Sequence, residues 1–289
     1  MREEVRKIQE LLRRQAYISD TTVATSLYLA MALGKPLLVE GPAGVGKTEI
    51  AKVLANALEA RLVRLQCYEG LDATTALYEW NYSKQLLHIK LQELSAASAT
   101  EKEAEIFSEP FLLKRPLLEA ITQQTRSPVL LIDEVDRSDE EFEAFLLEIL
   151  SEFQVTIPEI GQIKAIHRPY VVLTSNRSRE LSDALRRRCL YLWIDYPSFD
   201  KELEIVRVKV PAISESLSVE LTRMIQAVRK LNLVKVPGVA ETLDWASALV
   251  ALNTERLDQE VIAETTGCFL KDEADLRKFE AELKDGHLR

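Results

Sequence analysis

Residues 36–52 read PLLVEGPAGVGKTEIAK. The apolar run Leu37-Leu38-Val39 predicts a buried strand. Gly41-Pro42-Ala43-Gly44-Val45-Gly46-Lys47-Thr48 follows at once, and from Glu49 a helical pattern begins in which Ile50, Ala51, Val53, Leu54, Ala57 and Leu58 are apolar. The pattern is G-x-x-x-x-G-K-[ST] with a strand before it and a helix behind it, the context that separates a phosphate-binding loop from a chance Gly-rich turn. Gly41, Gly44 and Gly46 let the backbone curl until its N–H groups face phosphate oxygens. The helix N-terminus adds a positive dipole end at the same place. Lys47 is spaced to reach the β- and γ-phosphates, and the Thr48 hydroxyl to ligate Mg²⁺. Residues 41–49 therefore predict a nucleoside triphosphate site.

The rest of the composition sets bounds. The 289 residues leave room for one large domain or two modest ones, and 47% hydrophobic with 29% charged residues is ordinary for a globular chain. A net charge of −9 argues against bulk, charge-driven nucleic-acid binding. Cys67, Cys189 and Cys268 are far apart, which suggests a reduced compartment and neither a disulfide framework nor a zinc site. His88, His167 and His287 have no metal-ligand spacing. The start, MREEVRKIQELLRRQ, lacks the apolar stretch of a signal peptide, and no run is long and apolar enough for a membrane span. A cytoplasmic protein is the expectation.

Along the chain, Val5, Ile8, Leu11 and Leu12 mark a first helix. Asp20 reads as the N-cap of a second, with Val23, Leu27 and Met31 inward and Gly34 as its stop. Arg61–Cys67 alternates as a second strand. About sixty residues then precede the next strand, far more than a crossover needs, so an insert is expected at about 68–127. Its first part is rich in aromatics (Tyr68, Tyr78, Trp80, Tyr82), Ser95–Glu105 is expected to be mobile, and Phe111–Ile121 is expected to be helical. Pro128–Glu134 reads as a central parallel strand. Phe142, Phe145, Leu146, Ile149, Leu150 and Phe153 make one helical face, 154–167 a hairpin, Tyr170–Asn176 a fourth strand and Leu190–Asp195 a fifth. Strands alternating with helices predict a doubly wound α/β domain over residues 1–199. Helical patterns dominate 200–289, read as a smaller helical domain.

Asp133-Glu134 closes the third strand at the sheet edge that faces the loop. Asp133 is then placed to hold Mg²⁺ with Thr48, and Glu134 to polarise an attacking water. Asn176 ends the next strand, where a neutral amide can orient that water or sense the γ-phosphate, or simply make a turn. Arg186-Arg187-Arg188 reads either as a solvated basic patch or as a cation reaching a neighbouring subunit's phosphate. Arg137 faces either an interface or an internal ion pair. For Trp80, with Tyr78 and Tyr82, insert packing competes with a client-binding patch.

The stretches GPAGVGKT, LLIDEVDRSDEEFEAFLLEILSEFQVTIP and VVLTSN resemble AAA+ ATPases of the MoxR branch. LQCYEGLDATTALYEWNY, KRPLLEA, LRRRCLYLWIDYP and VPGVAETLDWASAL extend the likeness over nearly the whole chain, and it is closest to the CoxD-type ATPase that accompanies aerobic carbon monoxide dehydrogenase. The resemblance implies a P-loop parallel-sheet ATPase domain with a C-terminal helical lid, using ATP and Mg²⁺, and a homo-oligomeric ring, usually a hexamer, with ATP at subunit boundaries. It implies Asn176 as first sensor, Arg188 (or else Arg187) as the arginine acting in trans, and Tyr17 and Ile18 as the adenine pocket. It also implies a von Willebrand factor A domain partner, a client metalloenzyme, and client contact through the insert and hairpin. One departure is plain: the lid stretch VPGVAETLDWASA holds no second-sensor arginine, so another basic group such as Lys235 substitutes, or lid closure is coupled to ATP differently. The function these readings predict is an ATP-driven remodelling chaperone that matures a metalloenzyme, molybdenum–copper carbon monoxide dehydrogenase or a relative such as nitric oxide reductase. The competing reading is a nucleotide-dependent scaffold with little turnover. A P-loop kinase or GTPase fits less well, since no N-K-x-D motif is present.

Overall fold

The computed structural model describes residues 2–91 and 105–285. The expected mobile stretch up to Ala104, and His287, lie outside the described residues. Five strands form one parallel sheet: β1 (Leu37–Glu40), β2 (Leu62–Gln66), β5 (Val129–Asp133), β8 (Tyr170–Ser175) and β9 (Leu190–Trp193), in the order β2-β5-β8-β1-β9. Strand residues alternate between two cores. Leu38, Leu130, Ile132 and Leu173 face one side, where α6 (Pro116–Ile121) and α7 (Glu140–Glu152) pack. Leu37, Val39, Leu131 and Val172 face the other, against α1 (Arg2–Arg14), α2 (Thr21–Leu33) and α3 (Lys47–Ala57). Burial on both faces explains why these strands read as unbroken apolar runs.

The connection from β2 to β5 is the expected insert. It holds α4 (Ala73–Leu77), α5 (Tyr82–Leu91) and a two-stranded antiparallel ribbon, β3 (Tyr78–Trp80) with β4 (Leu112–Lys114). The expected helix over Phe111–Ile121 is therefore corrected: helix begins only at Pro116. Proline fits the first helical position but disfavours helical backbone in the residue before it, and Arg115 is extended (ψ 171°). That leaves Leu112–Lys114 free to pair with β3. Trp80 is buried, edge-on to Tyr78 and Phe107, while Tyr82 is exposed, so this aromatic group splits between packing and surface. The hairpin reading of 154–167 corresponds to β6 (Gln154–Ile157) paired with β7 (Gly161–Lys164).

Beyond β9 the described chain is helical: α9 (Phe199–Lys209), α10 (Glu215–Val228), α11 (Val239–Ala251), α12 (Gln259–Thr265) and α13 (Glu273–Lys284). Ser198, Ser214, Asp258 and Asp272 each accept a backbone N–H at a helix start, which sets where α9, α10, α12 and α13 begin. These helices close a third core in which Trp245, Phe269 and Phe279 are fully buried, and the Trp245 indole donates to Thr265 Oγ1 at 2.8 Å. A buried ion pair, Arg229–Glu202, ties α9 to α10 at 2.6 Å. Arg229 also stacks over Tyr196 and donates to the Pro237 carbonyl, fixing the turn that enters α11.

That turn touches the loop of residues 41–48. Val239 and Ala240 N–H donate to the Gly44 carbonyl at 2.8 and 3.2 Å. A Cβ on Gly238 would lie 2.7 Å from Gly44 Cα, so only glycine permits the contact. We expect Gly238→Ala to destabilise the fold by about 1–3 kcal/mol. Gly267→Ala, where an added Cβ meets nothing within 4 Å, should change stability by less than ~0.5 kcal/mol. Thermal denaturation of the two variants checks this.

Candidate active site

All five strands point their C-terminal ends to one edge, and the chemistry-bearing residues lie along it. β1 delivers the loop, β5 delivers Asp133 and Glu134, and β8 delivers Thr174 and Asn176. Gly41 crosses the Ile194 backbone so closely that a Cβ would sit 1.9 Å from its carbonyl oxygen. The loop opens into α3, whose first residue is Lys47. Lys47 Nζ donates to the Gly41 and Pro42 carbonyls at 2.8 and 2.6 Å, folding the amine over its own loop. Burial pushes its pKa below the ordinary lysine value, with Asp136, Asp133 and Glu134 pulling the other way. A buried ammonium held by two neutral carbonyls is a ready partner for a phosphate anion.

Asp133 is buried and fully engaged. Its Oδ1 accepts from Thr48 Oγ1 at 2.9 Å and from Thr174 Oγ1 at 2.6 Å. Its Oδ2 accepts from Arg64 Nε and Nη2 at 3.1 and 2.6 Å. A hydroxyl and a carboxylate in contact are hard oxygen donors of the kind Mg²⁺ takes, so the donor set fits that ion. Glu134 sits in left-handed backbone (φ 54°) as the chain leaves β5, a strained conformation for a residue with a side chain. Its carboxylate accepts from Gln66 Nε2 at 3.0 Å and Asn176 Nδ2 at 3.3 Å, and pairs with Arg137 at 3.3 Å. Of its two expected placements, Arg137 makes the internal ion pair in this chain.

A cleft of about 490 Å³ runs over these groups. Ala43 through Glu49, Asp133, Glu134, Thr174 and Asn176 line one part of it, and Tyr17 and Ile18 another. Burial raises the Tyr17 pKa, keeping the phenol neutral. The helical region closes the far side with Lys201, Ile205 and Lys209, spaced by four on one face of α9, and with Val239, Ala240 and Leu243 of α11. Lys201 and Lys209 pair with Asp20 and Glu49 across the cleft. Lys235 does not line it; its backbone N–H goes to Asp275, so the cations on the helical side come from α9.

The three consecutive arginines, which end α8 (Asp183–Arg188), differ. Arg186 turns inward to buried Glu40 at 3.2 Å, which also accepts from the Tyr191 hydroxyl. Arg188 donates to Ser151 Oγ and the Ala184 carbonyl, and Arg187 is exposed with no side-chain partner among the described residues. Sequence reasoning missed Arg64, Gln66, Thr174 and Asp136. Buried Asp136 accepts from the Asn176 N–H at 3.2 Å and from Ser178 N–H and Oγ at 2.8 and 2.7 Å, which anchors the loop carrying Asn176. Cys67 lies under the same edge, and burial pushes its thiol up to about 12, so it is inert.

Fold and site together define a P-loop domain of the AAA type. The chain belongs to the AAA domain family, dynein-related subfamily, whose family model matches residues 36–189. It is 27% identical over 184 residues to an uncharacterized protein of Staphylococcus aureus strain bovine RF122, and 26% identical to a counterpart in strain USA300. Each alignment covers 62% of this chain, and the chain spans 62% of the length of these relatives. An ATPase candidate from Cytophaga hutchinsonii is similar in structure, with a TM-score of 0.51 and 18% identity, over 91% of this chain and 84% of that one. A variant of the RuvB Holliday junction branch migration motor of Thermotoga maritima has a TM-score of 0.50 at 18% identity, over 93% and 71% of the two chains. At these identities the structural likeness concerns the fold alone. Among the described residues no helix is long and apolar enough to cross a membrane.

Replacing Asp136 by alanine orphans the N–H groups of Asn176 and Ser178. The expected cost is about 1–3 kcal/mol of stability, with nucleotide affinity largely kept. Chemical denaturation beside a nucleotide titration separates the two effects.

Proposed function

We propose that the chain is an ATP hydrolase working as a ring-forming remodelling machine. The observation that carries this reading is the meeting of Thr48, Asp133, Glu134 and Asn176, from the start of α3 and two strand ends, beside the cradle of residues 41–49. The adenine lies against Tyr17 and Ile18, and the triphosphate follows the loop N–H groups to Lys47. Thr48 and Asp133 hold Mg²⁺, which when bound neutralises charge on the β- and γ-phosphates. Glu134 accepts a proton from the attacking water, and Asn176, already bonded to that carboxylate, keeps it aimed. Residues 1–199 serve as the nucleotide-binding domain and 200–289 as its lid, hinged where α11 meets Gly44.

The ring reading needs a cation in trans. Arg187, exposed and unpartnered, supports it, as does Arg188, whose two neutral contacts on the surface cost little to break. The insert presents Leu86, Leu87 and Leu91 of α5 to solvent, which supports client contact there. The stretches resembling CoxD-type proteins support a client metalloenzyme, molybdenum–copper carbon monoxide dehydrogenase, and a von Willebrand factor A domain partner. A second reading, a scaffold that binds ATP and hardly turns over, is favoured by one observation: Gln66, Arg137 and Asn176 together hold the Glu134 carboxylate.

Glu134→Gln should bind ATP normally and hydrolyse it about 10²–10⁴-fold more slowly. If maturation of the client survives that change, the scaffold reading wins. Wild-type ATPase rate per subunit should rise with protein concentration, while Arg187→Ala or Arg188→Ala should bind ATP yet stay slow throughout. A rate independent of concentration in the wild type, unaffected by either change, would overturn the shared site.

A further inference from the structure

Arg64 has no place in the roles assigned so far, yet it makes the only ion pair to Asp133 among the described residues. Its side chain is 49% exposed, whereas that of Asp133 is 4% exposed. The guanidinium therefore reaches from the solvent edge of β2 onto a buried carboxylate. Two N–H groups converge on Oδ2, the oxygen that Thr48 and Thr174 leave free. A planar fork on one carboxylate oxygen satisfies a charge that would otherwise be buried without compensation. Lys47 does not do this, because its amine is spent on the Gly41 and Pro42 carbonyls.

Register places Arg64 there. β2 pairs with β5 so that Gln66 stands opposite Asp133, and Arg64 is two residues back on the same face of the strand. Arg64 Nη2 also donates to Gln66 Oε1, and Gln66 donates to Glu134. One edge strand thus touches both acidic residues, the first through a full positive charge and the second through a neutral amide.

We propose that Arg64 is a resident counter-cation of Asp133 that sets how strongly nucleotide binding depends on the divalent ion. The proposal rests on the reading that Thr48 and Asp133 hold Mg²⁺. With no divalent ion held, Arg64 neutralises the carboxylate beside an incoming polyanion. When the ion is held, Arg64 competes for Oδ2 and repels the second cation. Removing Arg64 weakens metal-free binding, because Asp133 then faces the phosphates unscreened, and favours metal-assisted binding. Both changes push the ratio of the two affinities the same way.

The test is calorimetric titration of the full chain with ADP, in Mg²⁺ and in EDTA, for wild type, Arg64→Gln and Arg64→Lys. The ratio of affinities with and without Mg²⁺ should rise roughly tenfold in Arg64→Gln, with Arg64→Lys between it and wild type. In an Asp133→Asn background the Arg64→Gln effect should vanish, since the partner charge is gone. An unchanged ratio in both Arg64 variants, or an effect that persists without Asp133, overturns the proposal and leaves the nucleotide site standing. A wild type that binds ADP equally with and without Mg²⁺ overturns the metal reading itself, and the proposal with it. Arg64→Lys keeps the charge, so it decides the matter if Arg64→Gln does not fold.

Discussion

One buried carboxylate ties the working edge of the sheet together. Asp133 stands at the end of β5 and accepts from Thr48 after β1, Thr174 on β8 and Arg64 on β2. Three of the five strands and the start of α3 thus converge on two oxygen atoms. A carboxylate this deep is tolerable only when its lone pairs are filled, and filling them fixes the mutual height of the strands that supply the donors. The positions of Glu134 and Asn176 follow from that arrangement, because each is the next residue or two along a strand already held in place.

The helical region is held to this edge by close approach. Gly44 and Gly238 meet backbone to backbone, and the start of α11 spends two of its free N–H groups on the Gly44 carbonyl. Behind the contact, Glu202 and Arg229 form a buried ion pair that reaches the Pro237 carbonyl, with Thr242 donating to the same carboxylate. The clasps at the rim, Lys201–Asp20 and Lys209–Glu49, are exposed enough to contribute little each. The joint is thus firm beside the loop and weakly latched at the cleft's outer rim.

Much of this was legible in the sequence because the signals were contiguous. The loop at 41–48, the apolar run ending in Asp133-Glu134 and the stripe from Phe142 to Phe153 each carry their meaning within a dozen residues. The sheet, the hairpin and the helical character after residue 199 could be read the same way. Arg64, Gln66 and Thr174 could not, because their roles depend on strand register. Nothing in the alternating pattern of RLVRLQC says that Arg64 will meet a carboxylate some seventy residues later. Asp136 was hidden for the same reason, its partners lying forty residues on at Asn176 and Ser178. The Phe111–Ile121 expectation failed because apolar spacing alone cannot separate a strand followed by a Pro-started helix from one continuous helix.

The strand order also dictates when the sheet can assemble. β1 pairs with β8 and β9, so the first strand made has no neighbour until the chain has reached residues 170–193. β2 likewise waits for β5, beyond the long insert. The apolar Leu37-Leu38-Val39 must then stay out of wrong pairings while more than a hundred further residues emerge from the ribosome. Folding dominated by such distant pairings is slow and leaves sticky strands unprotected meanwhile. The strand that carries the loop of residues 41–48 is thereby left unpaired longer during synthesis than β2, the other early strand.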